Sequence, residues 1–375
     1  MSIEQASVYI HIPFCGSFCD YCDFYSVQAK DNDEYFDKFI PALIADIKRQ
    51  IEFFEVKEVI TAYIGGGTPS VLGKKISALL GALRKIPGFS PKEFSVEANP
   101  ESVTGDFLRA CKDGGVNRLS AGVQTFHEPS RAAVNRGCES RLLEEKIRLI
   151  SEYYKDAFSA DLIIGLPFQN KQTAEEDIKK ILEYAPSHVS LYSLSAEKGT
   201  PLENKIKTKD IILPDSETSD SLWLMARDML LDAGFNHYEV SNFAKEGKEC
   251  LHNIRYWNLQ SWLGAGPSAS GTIVNEKTTS ARRFTFANDV NAYINSPDIK
   301  TAEYEDLDKN MLIRESILMG FRRKEGPDSE IFKKRFGRTA QELIPVTIKK
   351  WKNNDKDMLL FLNQFLLDAF TELDN

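Results

Sequence analysis

The sequence predicts an α/β protein built on a parallel sheet, and two observations carry that prediction. Short β-rich runs alternate with helical patterns through the first two-thirds of the 375-residue chain, and repeated strand–helix units imply parallel strands joined by right-handed crossovers. Buried parallel strands are almost entirely apolar, as the run Leu162-Ile163-Ile164 is. The pattern fits an open doubly wound sheet as well as a full or partial barrel. In either case ligands bind at the carboxyl ends of the strands.

Six strands are expected in this part of the chain. They are Val8–Ile12, Val59–Ile64, Phe94–Glu97, Arg118–Gly122, Phe158–Ile164 and His188–Leu194. Between the first two, apolar residues recur at helical spacing from Phe36 to Phe54, and Asp31 or Asp33 is a candidate N-cap. Further helices are expected at Lys74–Lys85, Gly105–Lys112, Glu139–Tyr153, Glu175–Tyr184 and Ser216–Ala233.

The pattern changes after about residue 235. A polar, aromatic stretch from His237 to Gly271 leads through a Ser/Thr/Arg-rich segment to about residue 300. A helix-rich tail follows, with helices expected at Asn310–Leu318 and Gln341–Trp351. We therefore divide the chain into a core of residues 1–235, an extension of residues 236–300 and a small C-terminal accessory domain of residues 301–375.

Composition and charge narrow the class of protein. A net charge of -8 and a pI near 5.4 argue against nucleic acid as a partner, because phosphate binding needs a clustered excess of Lys and Arg. We expect no secretory signal and no membrane span, although peripheral contact with a membrane is left open. Six cysteines, three of them close together, do not resemble a disulfide framework. A reducing cytoplasm is the expected location.

Cys15, Cys19 and Cys22 have the spacing C-x3-C-x2-C directly after the first predicted strand. A [4Fe–4S] cluster normally takes four cysteines, so three leave one iron open. S-adenosylmethionine (SAM) requires such an open iron, which the amine and carboxylate of its methionine part chelate. An electron from the cluster then breaks a carbon–sulfur bond and yields a 5′-deoxyadenosyl radical. The trio therefore predicts a cluster that binds and cleaves SAM.

A structural zinc site is the alternative interpretation of the trio. It needs four ligands in a closed tetrahedron, with His11 or Asp23 as the fourth, yet no second Cys/His pair lies nearby in sequence. The remaining cysteines occur singly, and each is expected to be a small buried residue. They are Cys111, Cys138 and Cys250.

The segment from Tyr9 to Cys22 resembles the opening of the family that contains oxygen-independent coproporphyrinogen III oxidase and the HemW-type haem chaperones. The resemblance continues through the core at consistent distances. It implies a radical-SAM partial (β/α)6 barrel of the TIM type, followed by a small C-terminal, mostly helical, winged-helix-like domain.

A glycine-rich turn, Gly65-Gly66-Gly67-Thr68-Pro69, follows the second predicted strand. Glycines there permit close backbone approach to a ligand, with N–H groups free to bind its carboxylate or amine. A plain strand-to-helix turn is the alternative. The turn resembles the family's GGE-like motif, which contacts the amino group of SAM, and so implies contacts from Gly66, Gly67 and Thr68. The resemblance adds two aromatic residues, Tyr9 and Tyr21, although an aromatic beside a strand usually serves core packing.

Four polar residues at or near strand ends match SAM-contacting positions of the family. Glu97 suits the SAM ammonium or ribose, because a carboxylate inside an apolar strand is costly unless it is paired. Arg136 offers a guanidinium fork for the methionine carboxylate. Gln124 and Asp161 suit ribose hydroxyls. Each alone fits a surface charge or a core polar group equally well.

Two departures separate the chain from the oxidase. The oxidase carries an extension before its cysteine motif, whereas fourteen residues precede Cys15 here. The oxidase also has a fourth cysteine in a C-x-C, which Cys22-Asp23-Phe24 lacks. The sequence Cys22-Asp-Phe-Tyr-Ser26 resembles the HemW-type proteins instead. Both features argue against oxidative decarboxylation of coproporphyrinogen.

The run His252-Asn-Ile-Arg-Tyr256-Trp257 resembles the H-N-x-x-Y-W segment of those proteins, which is associated there with haem. His252 suits an axial ligand, Tyr256 suits a ligand or a stacking partner, and Trp257 suits a stacking partner. The alternative is that the run braces the edge of the barrel. His237 competes as a ligand, although a structural role fits it better.

The resemblance implies a haem chaperone that binds haem and delivers it to an acceptor protein, with SAM binding coupled to delivery and an electron donor as a further partner. The enzyme alternative is the oxidase itself, in which the radical abstracts hydrogen from propionate side chains. A zinc-stabilised binding module is the third class. Whether the protein turns over as an enzyme is left open.

Overall fold

The computed structural model describes residues 2–29, 33–137, 139–352 and 357–374, so the candidate cap Asp31 and Cys138 lie outside the described residues. In chain order the strands of the main sheet are β1 Ile3–Ile12, β2 Val56–Gly66, β3 Phe89–Ala98, β4 Arg118–Gln124, β5 Phe158–Ile164, β6 His188–Ser193, β7 Asn236–Glu239, β8 Asn242–Ala244, β9 Trp262–Ala265, β10 Ser270–Asn275, β11 Ser280–Thr285 and β12 Glu303–Leu307.

Helices surround this sheet. They are α1 Asp33–Phe53, α2 Ile76–Leu83, α3 Gly105–Asp113, α4 Glu128–Ala133, α5 Ser140–Tyr153, α6 Lys171–Glu183, α7 Pro201–Lys207, α8 Ser216–Asp232, α9 Leu251–Trp257, α10 Val290–Asn295, α11 Lys309–Gly320, α12 Ser329–Phe336, α13 Ala340–Leu343, α14 Pro345–Lys352 and α15 Leu362–Leu373.

The strand order decides between the two topologies that the sequence leaves open. It is β12-β11-β10-β9-β1-β2-β3-β4-β5-β6-β8-β7, and the seven strands from β9 to β6 in this order are parallel to their neighbours. A doubly wound sheet reverses its order at a switch point, whereas β1 to β6 follow one another without reversal. Crossovers of one hand then put the helices on one face. This is the topology of a partial barrel, and it confirms the predicted fold class.

All six predicted strands are present, most of them longer than predicted. Two predicted helices differ from the observed ones. The helix expected at Lys74–Lys85 is a 3-10 segment over Pro69–Lys75 followed by α2, because Gly73 has a φ of 51° and breaks the helical backbone between them. The helix expected at Gln341–Trp351 is divided into α13 and α14, since Pro345 lacks the N–H that a continuous helix needs.

Residues 236–300 contribute strands to both edges of the sheet, which the sequence pattern does not predict. On one edge β9 pairs in parallel with β1, and β10 and β11 form an antiparallel hairpin beyond it. On the other edge β8 pairs with β6. Because one face of an antiparallel edge can remain polar, the Ser/Thr/Arg-rich segment forms strands without an apolar run. The domain division at residues 235 and 300 stays a prediction.

The alternating direction of the side chains along β2 determines which of them line the barrel. Ala62 and Ile64 are fully buried in the main hydrophobic core, which the strands share with the helices. Successive side chains of a strand point to opposite faces, so Thr61 and Tyr63 point to the other side, into the barrel. Polar side chains of the inner face can therefore meet at the carboxyl ends of the strands.

The C-terminal segment is mostly helical, as predicted. Helices α11 to α15 enclose a second hydrophobic cluster, separate from the main core, in which the ring of Phe365 lies 4.6 Å from Phe321 and 5.6 Å from Trp351. Among the described helices, none is both long enough and apolar enough to cross a membrane.

Candidate functional site

The three cysteines lie on one loop that a small ribbon closes. Phe14–Cys15 pairs with Val27–Gln28, and the Ala29 N–H donates to the Cys15 carbonyl at 2.7 Å. Within the loop the Cys22 N–H donates to the Cys19 carbonyl at 3.2 Å, which closes a turn. Cys15 is buried, whereas Cys19 and Cys22 are half-buried and without a disulfide. The loop directly follows β1, as the sequence predicts.

The glycine-rich turn after β2 packs directly against the stem of this loop. The Gly67 and Thr68 N–H groups donate to the carbonyls of Ile12 and Phe14 at 2.8 and 2.7 Å, and the Thr68 hydroxyl lies 3.5 Å from the Cys15 sulfur. A Cβ atom on Gly67 would lie 2.7 Å from the Phe14 carbonyl oxygen. Glycine is therefore required for this close approach.

The expectation that the N–H groups of this turn are free is wrong. Those of Gly67 and Thr68 hold the cysteine loop, and the Gly66 N–H donates to the Glu97 carboxylate at 3.2 Å. The turn therefore positions two other parts of the site instead of offering its own donors to a ligand.

Arg136 lies beside the cysteine loop. Its Nη1 is 3.3 Å from the Cys19 sulfur, and its Nη2 donates to the Gly122 carbonyl at 2.6 Å. Its buried Nε has no hydrogen-bond partner among the described residues. Burial raises the pKa of the Tyr21 phenol, and the charge of Arg136 lowers it. A cationic fork next to a cysteine sulfur suits a carboxylate ligand there.

Gln124 ends β4 with a φ of 67°, in the left-handed region. The side-chain Oε1 is buried without a partner in the described part of the chain. A backbone strained in this way persists only where the surroundings hold it, and such residues cluster at ligand sites. A buried amide oxygen without a donor is suited to a ligand hydroxyl.

Two half-buried carboxylates interact electrostatically on the inner face of the barrel. Glu97 accepts hydrogen bonds from the Tyr63 hydroxyl at 2.9 Å and from the Gly66 N–H. Asp161 accepts from the Ser120 hydroxyl, which lies 3.1 and 3.2 Å from its two oxygens. Burial, and then the Asp161 charge, raises the pKa of Glu97 from 4.5 to about 7. Burial also raises the pKa of Asp161, against hydrogen bonds from Ser190 and Ser120.

A bound cation would remove this electrostatic cost. No lysine or arginine forms an ion pair with Glu97 or Asp161 within the described ranges. The charges of Arg118 and Arg136 favour the ionised form of Asp161 without forming an ion pair with it, whereas no cation among the described residues does so for Glu97. A positively charged ligand would therefore stabilise Glu97 most. Tyr9 borders the same region, since its ring stacks on Tyr63 at 6.4 Å.

Part of this inner layer was not predicted from the sequence. The residues that were not predicted are Tyr63, Ser120, Ser190 and Tyr192. A signal for them exists, because polar residues alternate with apolar ones along Thr61-Ala-Tyr63-Ile-Gly65 and Ser190-Leu-Tyr192. In strands buried on both faces, such alternation marks the face that lines the barrel.

His11 is unsuited to be a fourth ligand of a closed zinc site. Its Nδ1 lies 3.0 Å from the Tyr9 hydroxyl, and its Nε2 lies 3.0 Å from the Tyr25 carbonyl, so both ring nitrogens have internal partners. Within the described ranges no three His, Cys, Asp or Glu side chains converge as the ligands of one metal ion do. A cluster does not need this, because each thiolate ligates a different iron.

His252 lies inside the barrel, beneath the carboxylate layer. Its side chain is 1% exposed, and its Nδ1 is 2.8 Å from the Thr61 hydroxyl. The rings of Tyr63 and Tyr256 lie 5.2 and 4.6 Å from its own. Burial lowers the pKa of His252 to about 3, so the ring is neutral. Its buried Nε2 has no partner among the described residues.

Helix α9, which carries His252, is anchored at both ends. Glu93 accepts from the N–H groups of Leu251 and His252, each at 2.9 Å. One turn later the Arg255 Nε donates to the Ser7 hydroxyl at 2.8 Å. The structure therefore favours the brace interpretation of this segment, while the role of His252 as a haem ligand stays a prediction.

The structure does not bring the three predicted haem residues together. Tyr256 packs between His252 and Trp262, whose ring lies 4.8 Å away. Trp257 lies under the guanidinium of Arg322, which follows α11 and is 5.0 Å from the Trp257 ring, so Trp257 faces the C-terminal helices.

The competing candidates occupy structural positions. His237 is buried and stacks on Phe243 at 4.4 Å. Cys111 and Cys250 are buried, as expected.

Comparisons with known proteins agree with this geometry. Residues 9–181 match the Radical SAM superfamily. The heme chaperone HemW of Lactococcus lactis subsp. lactis (strain IL1403) is 33% identical over 340 residues, which are 90% of this chain and 86% of the relative. The heme chaperone HemW of Bacillus subtilis (strain 168) is 32% identical over 352 residues, 92% of this chain and 90% of the relative.

A solved structure agrees in fold. The coproporphyrinogen III oxidase HemN of Escherichia coli, a radical SAM enzyme, superposes with a TM-score of 0.80 over 98% of this chain and 90% of that one, at 22% identity. At this identity the likeness supports the fold alone. The superfamily implies a [4Fe–4S] cluster and SAM. From the relatives that match over most of its length, the chain belongs to the HemW family of the radical SAM superfamily.

Proposed function

We propose that this protein is a radical-SAM haem chaperone, which binds a [4Fe–4S] cluster, SAM and haem and transfers haem to an acceptor protein. The relatives named above are heme chaperones. One observation carries the SAM part of the proposal. Among the described residues, the carboxyl ends of the strands hold charges without an ion-pair partner that are complementary to SAM, with Arg136 beside Cys19 and the carboxylates Glu97 and Asp161 on the same inner face.

Cys15, Cys19 and Cys22 are the proposed cluster ligands. Their loop is anchored by the Gly67 and Thr68 N–H groups. When bound, the cluster supplies an electron that cleaves SAM. The proposal places the protein in the cytoplasm, because the three thiols must stay reduced to ligate iron.

Each polar residue has a distinct proposed role toward SAM. Arg136 binds the methionine carboxylate next to the open iron, and Glu97 binds the ammonium. Gln124 and Asp161 bind ribose hydroxyls, since the Gln124 Oε1 has no other partner in the described chain. The remaining proposed contacts are Tyr9, Tyr21, Gly66, Gly67 and Thr68. Because the N–H groups of the three turn residues have internal partners, these residues are proposed to contact SAM through their other atoms.

His252 is the proposed axial ligand of haem, with Tyr256 as the neighbouring aromatic residue. Trp257 is a proposed stacking partner that faces the C-terminal helices until α9 moves. Its neutral imidazole and unpaired Nε2 suit iron. Because Tyr63 and Tyr256 cover the ring, haem ligation requires α9 to move. The further partners are an electron donor and the acceptor protein.

Anaerobic reconstitution with iron and sulfide, followed by titration with SAM and then with haem, tests the proposal. We expect cluster absorbance, stoichiometric haem binding with a Soret band, and transfer of that haem to apomyoglobin as a generic acceptor. Failure to bind haem would contradict the chaperone function.

The same sample tests the oxidase activity. Incubation with coproporphyrinogen III, SAM and a reductant should give no decarboxylated product. Turnover of this substrate would favour the enzyme instead.

A further inference from the structure

The Glu97 carboxylate is held by one donor on each of its oxygens. The Tyr63 hydroxyl donates to Oε1 at 2.9 Å, and the Gly66 N–H donates to Oε2 at 3.2 Å. Both donors come from β2, so a single strand sets the direction of the carboxylate. A Cβ atom on Gly65 would lie 2.9 Å from the carboxylate, which shows how closely this strand approaches it.

The hydrogen bond from the Tyr63 hydroxyl stabilises the Glu97 carboxylate more than a surface hydrogen bond would, because of the charges around Glu97. The titratable groups that face Glu97 are Asp161 of β5, Tyr9 of β1, Tyr192 of β6 and Tyr63 itself. None of them is cationic, and the Asp161 charge disfavours the ionised form of Glu97. The two donors from β2 are the groups that stabilise its charged form.

The ring of Tyr63 is also held in place, so its hydroxyl is preorganised. Tyr9 stacks on one side at 6.4 Å with an interplanar angle of 27°. His252 packs against it at 5.2 Å and is itself held by its hydrogen bond to Thr61. The phenol therefore donates to Glu97 without losing side-chain freedom when a ligand binds.

We propose that Tyr63 is a positioning residue, which orients Glu97 toward the SAM ammonium and keeps that carboxylate charged. This inference rests on the proposed SAM-binding function of Glu97. Tyr63 acts through Glu97 and needs no contact with SAM itself.

Tyr63→Phe tests this role, because it removes the hydroxyl and keeps the ring between Tyr9 and His252. SAM affinity is measured on the anaerobically reconstituted protein from about pH 6 to about pH 9. We expect the variant to bind SAM about tenfold more weakly near neutral pH, as for a lost hydrogen bond to a charged group. The deficit should narrow toward high pH, where Glu97 ionises without help, so the midpoint of the pH profile moves upward.

Two further variants make the test specific. Tyr304→Phe removes a phenol hydroxyl that donates to the Ile299 carbonyl, far from Glu97 in the fold, and should leave SAM affinity and its pH profile unchanged. Glu97→Gln should weaken binding at every pH and abolish the pH-dependent difference between Tyr and Phe at position 63.

The possible outcomes distinguish a failure of the proposed SAM binding from a failure of the Tyr63 role alone. Wild-type protein that carries a cluster but does not bind SAM would overturn the proposed function and this inference together. Weak binding by Glu97→Gln with unchanged binding by Tyr63→Phe would overturn this inference alone. An equal loss at every pH in Tyr63→Phe would also overturn it, because structural damage is not relieved when Glu97 ionises.

Discussion

The carboxyl ends of the strands and helix α9 are both built from buried polar side chains, yet their electrostatics differ. At the strand ends, Glu97 and Asp161 lack a paired cation, and Gln124 and Arg136 each keep a buried polar atom without a partner in the described chain. Beneath them, α9 is hydrogen-bonded to the barrel through Glu93, Ser7 and Thr61.

Unpartnered buried atoms do not distinguish the two regions. Within the described residues the strand ends keep the Gln124 Oε1 and the Arg136 Nε without partners, and α9 keeps the His252 Nε2 and the Trp257 Nε1. The regions differ in charge instead, because no ion pair of the described residues includes Glu97 at the strand ends, whereas α9 is tied to the barrel by hydrogen bonds. The proposed SAM site therefore needs only a charged ligand, whereas the proposed haem site also needs α9 to move.

The largest expected effect comes from removing one of the proposed cluster ligands at the strand ends. Cys19→Ala should abolish the cluster and SAM cleavage and leave the fold largely intact, since the side chain is half-buried on a loop. Absorbance after anaerobic reconstitution measures the loss. Cys111→Ala is the matched control, because Cys111 is buried in α3 away from the loop, and should retain the cluster. Full cluster absorbance in the Cys19 variant would remove that residue from the ligand set.

The next effect concerns the pH dependence of the ligand-free protein. The pKa of Glu97 rises from 4.5 to about 7 in the folded state, so the folded protein binds more protons than the unfolded chain between these values. Its stability should therefore fall as pH rises through that window. Glu97→Gln should be more resistant to heat than wild type at about pH 8, and SAM should bind it 10- to 100-fold more weakly.

Asp46→Asn is the control for this experiment. Asp46 is also buried, with a pKa raised to about 6 by burial, but it bonds to Tyr293 and Gln50 outside the strand ends. This variant should change the pH dependence of stability and leave SAM affinity unchanged. A pH-independent melting temperature in wild type would refute the assignment of an ionisation cost to Glu97.

A smaller effect tests the second region. His252→Ala should lower the free energy of unfolding by about 1–3 kcal/mol, because it removes a buried ring and its bond to Thr61. Thermal unfolding measures this loss. The cluster content should not change, and haem affinity should fall if His252 is the axial ligand.

His237→Ala provides the comparison, since His237 is buried against Phe243 and away from α9. It should lose similar stability and keep full haem affinity. Equal haem affinity in both variants would eliminate His252 as the ligand, and equal stability of His252→Ala and wild type would eliminate the brace.

The smallest expected effect distinguishes the roles of Glu97 and Asp161 at the strand ends. Ser120→Ala removes the hydroxyl donor to Asp161, but Ser190 remains as a second donor. SAM affinity should fall about fivefold or less, which isothermal titration can resolve. A larger loss than that of Glu97→Gln would mean that Asp161, not Glu97, carries most of the ligand charge.

The features that could be predicted are those that a local sequence pattern encodes. The six parallel strands follow from apolar runs, and the cysteine loop follows from the spacing of Cys15, Cys19 and Cys22. The strands β10 and β11 were missed, because antiparallel strands near an edge tolerate polar residues such as Arg282 and Arg283. The contacts of Tyr63 and His252 were also missed, since they join residues 34 and 191 positions apart. No local pattern encodes the partners of such a contact.

The proposed function depends on SAM binding at the strand ends, next to a cluster held by the cysteine loop. Low-temperature spin resonance of the reduced, reconstituted protein, with and without SAM, tests it most directly. We predict a cluster signal that shifts when SAM is added, and a shift that is lost or weakened in Glu97→Gln. A reducible cluster whose signal is identical with and without SAM would contradict SAM binding at the cluster.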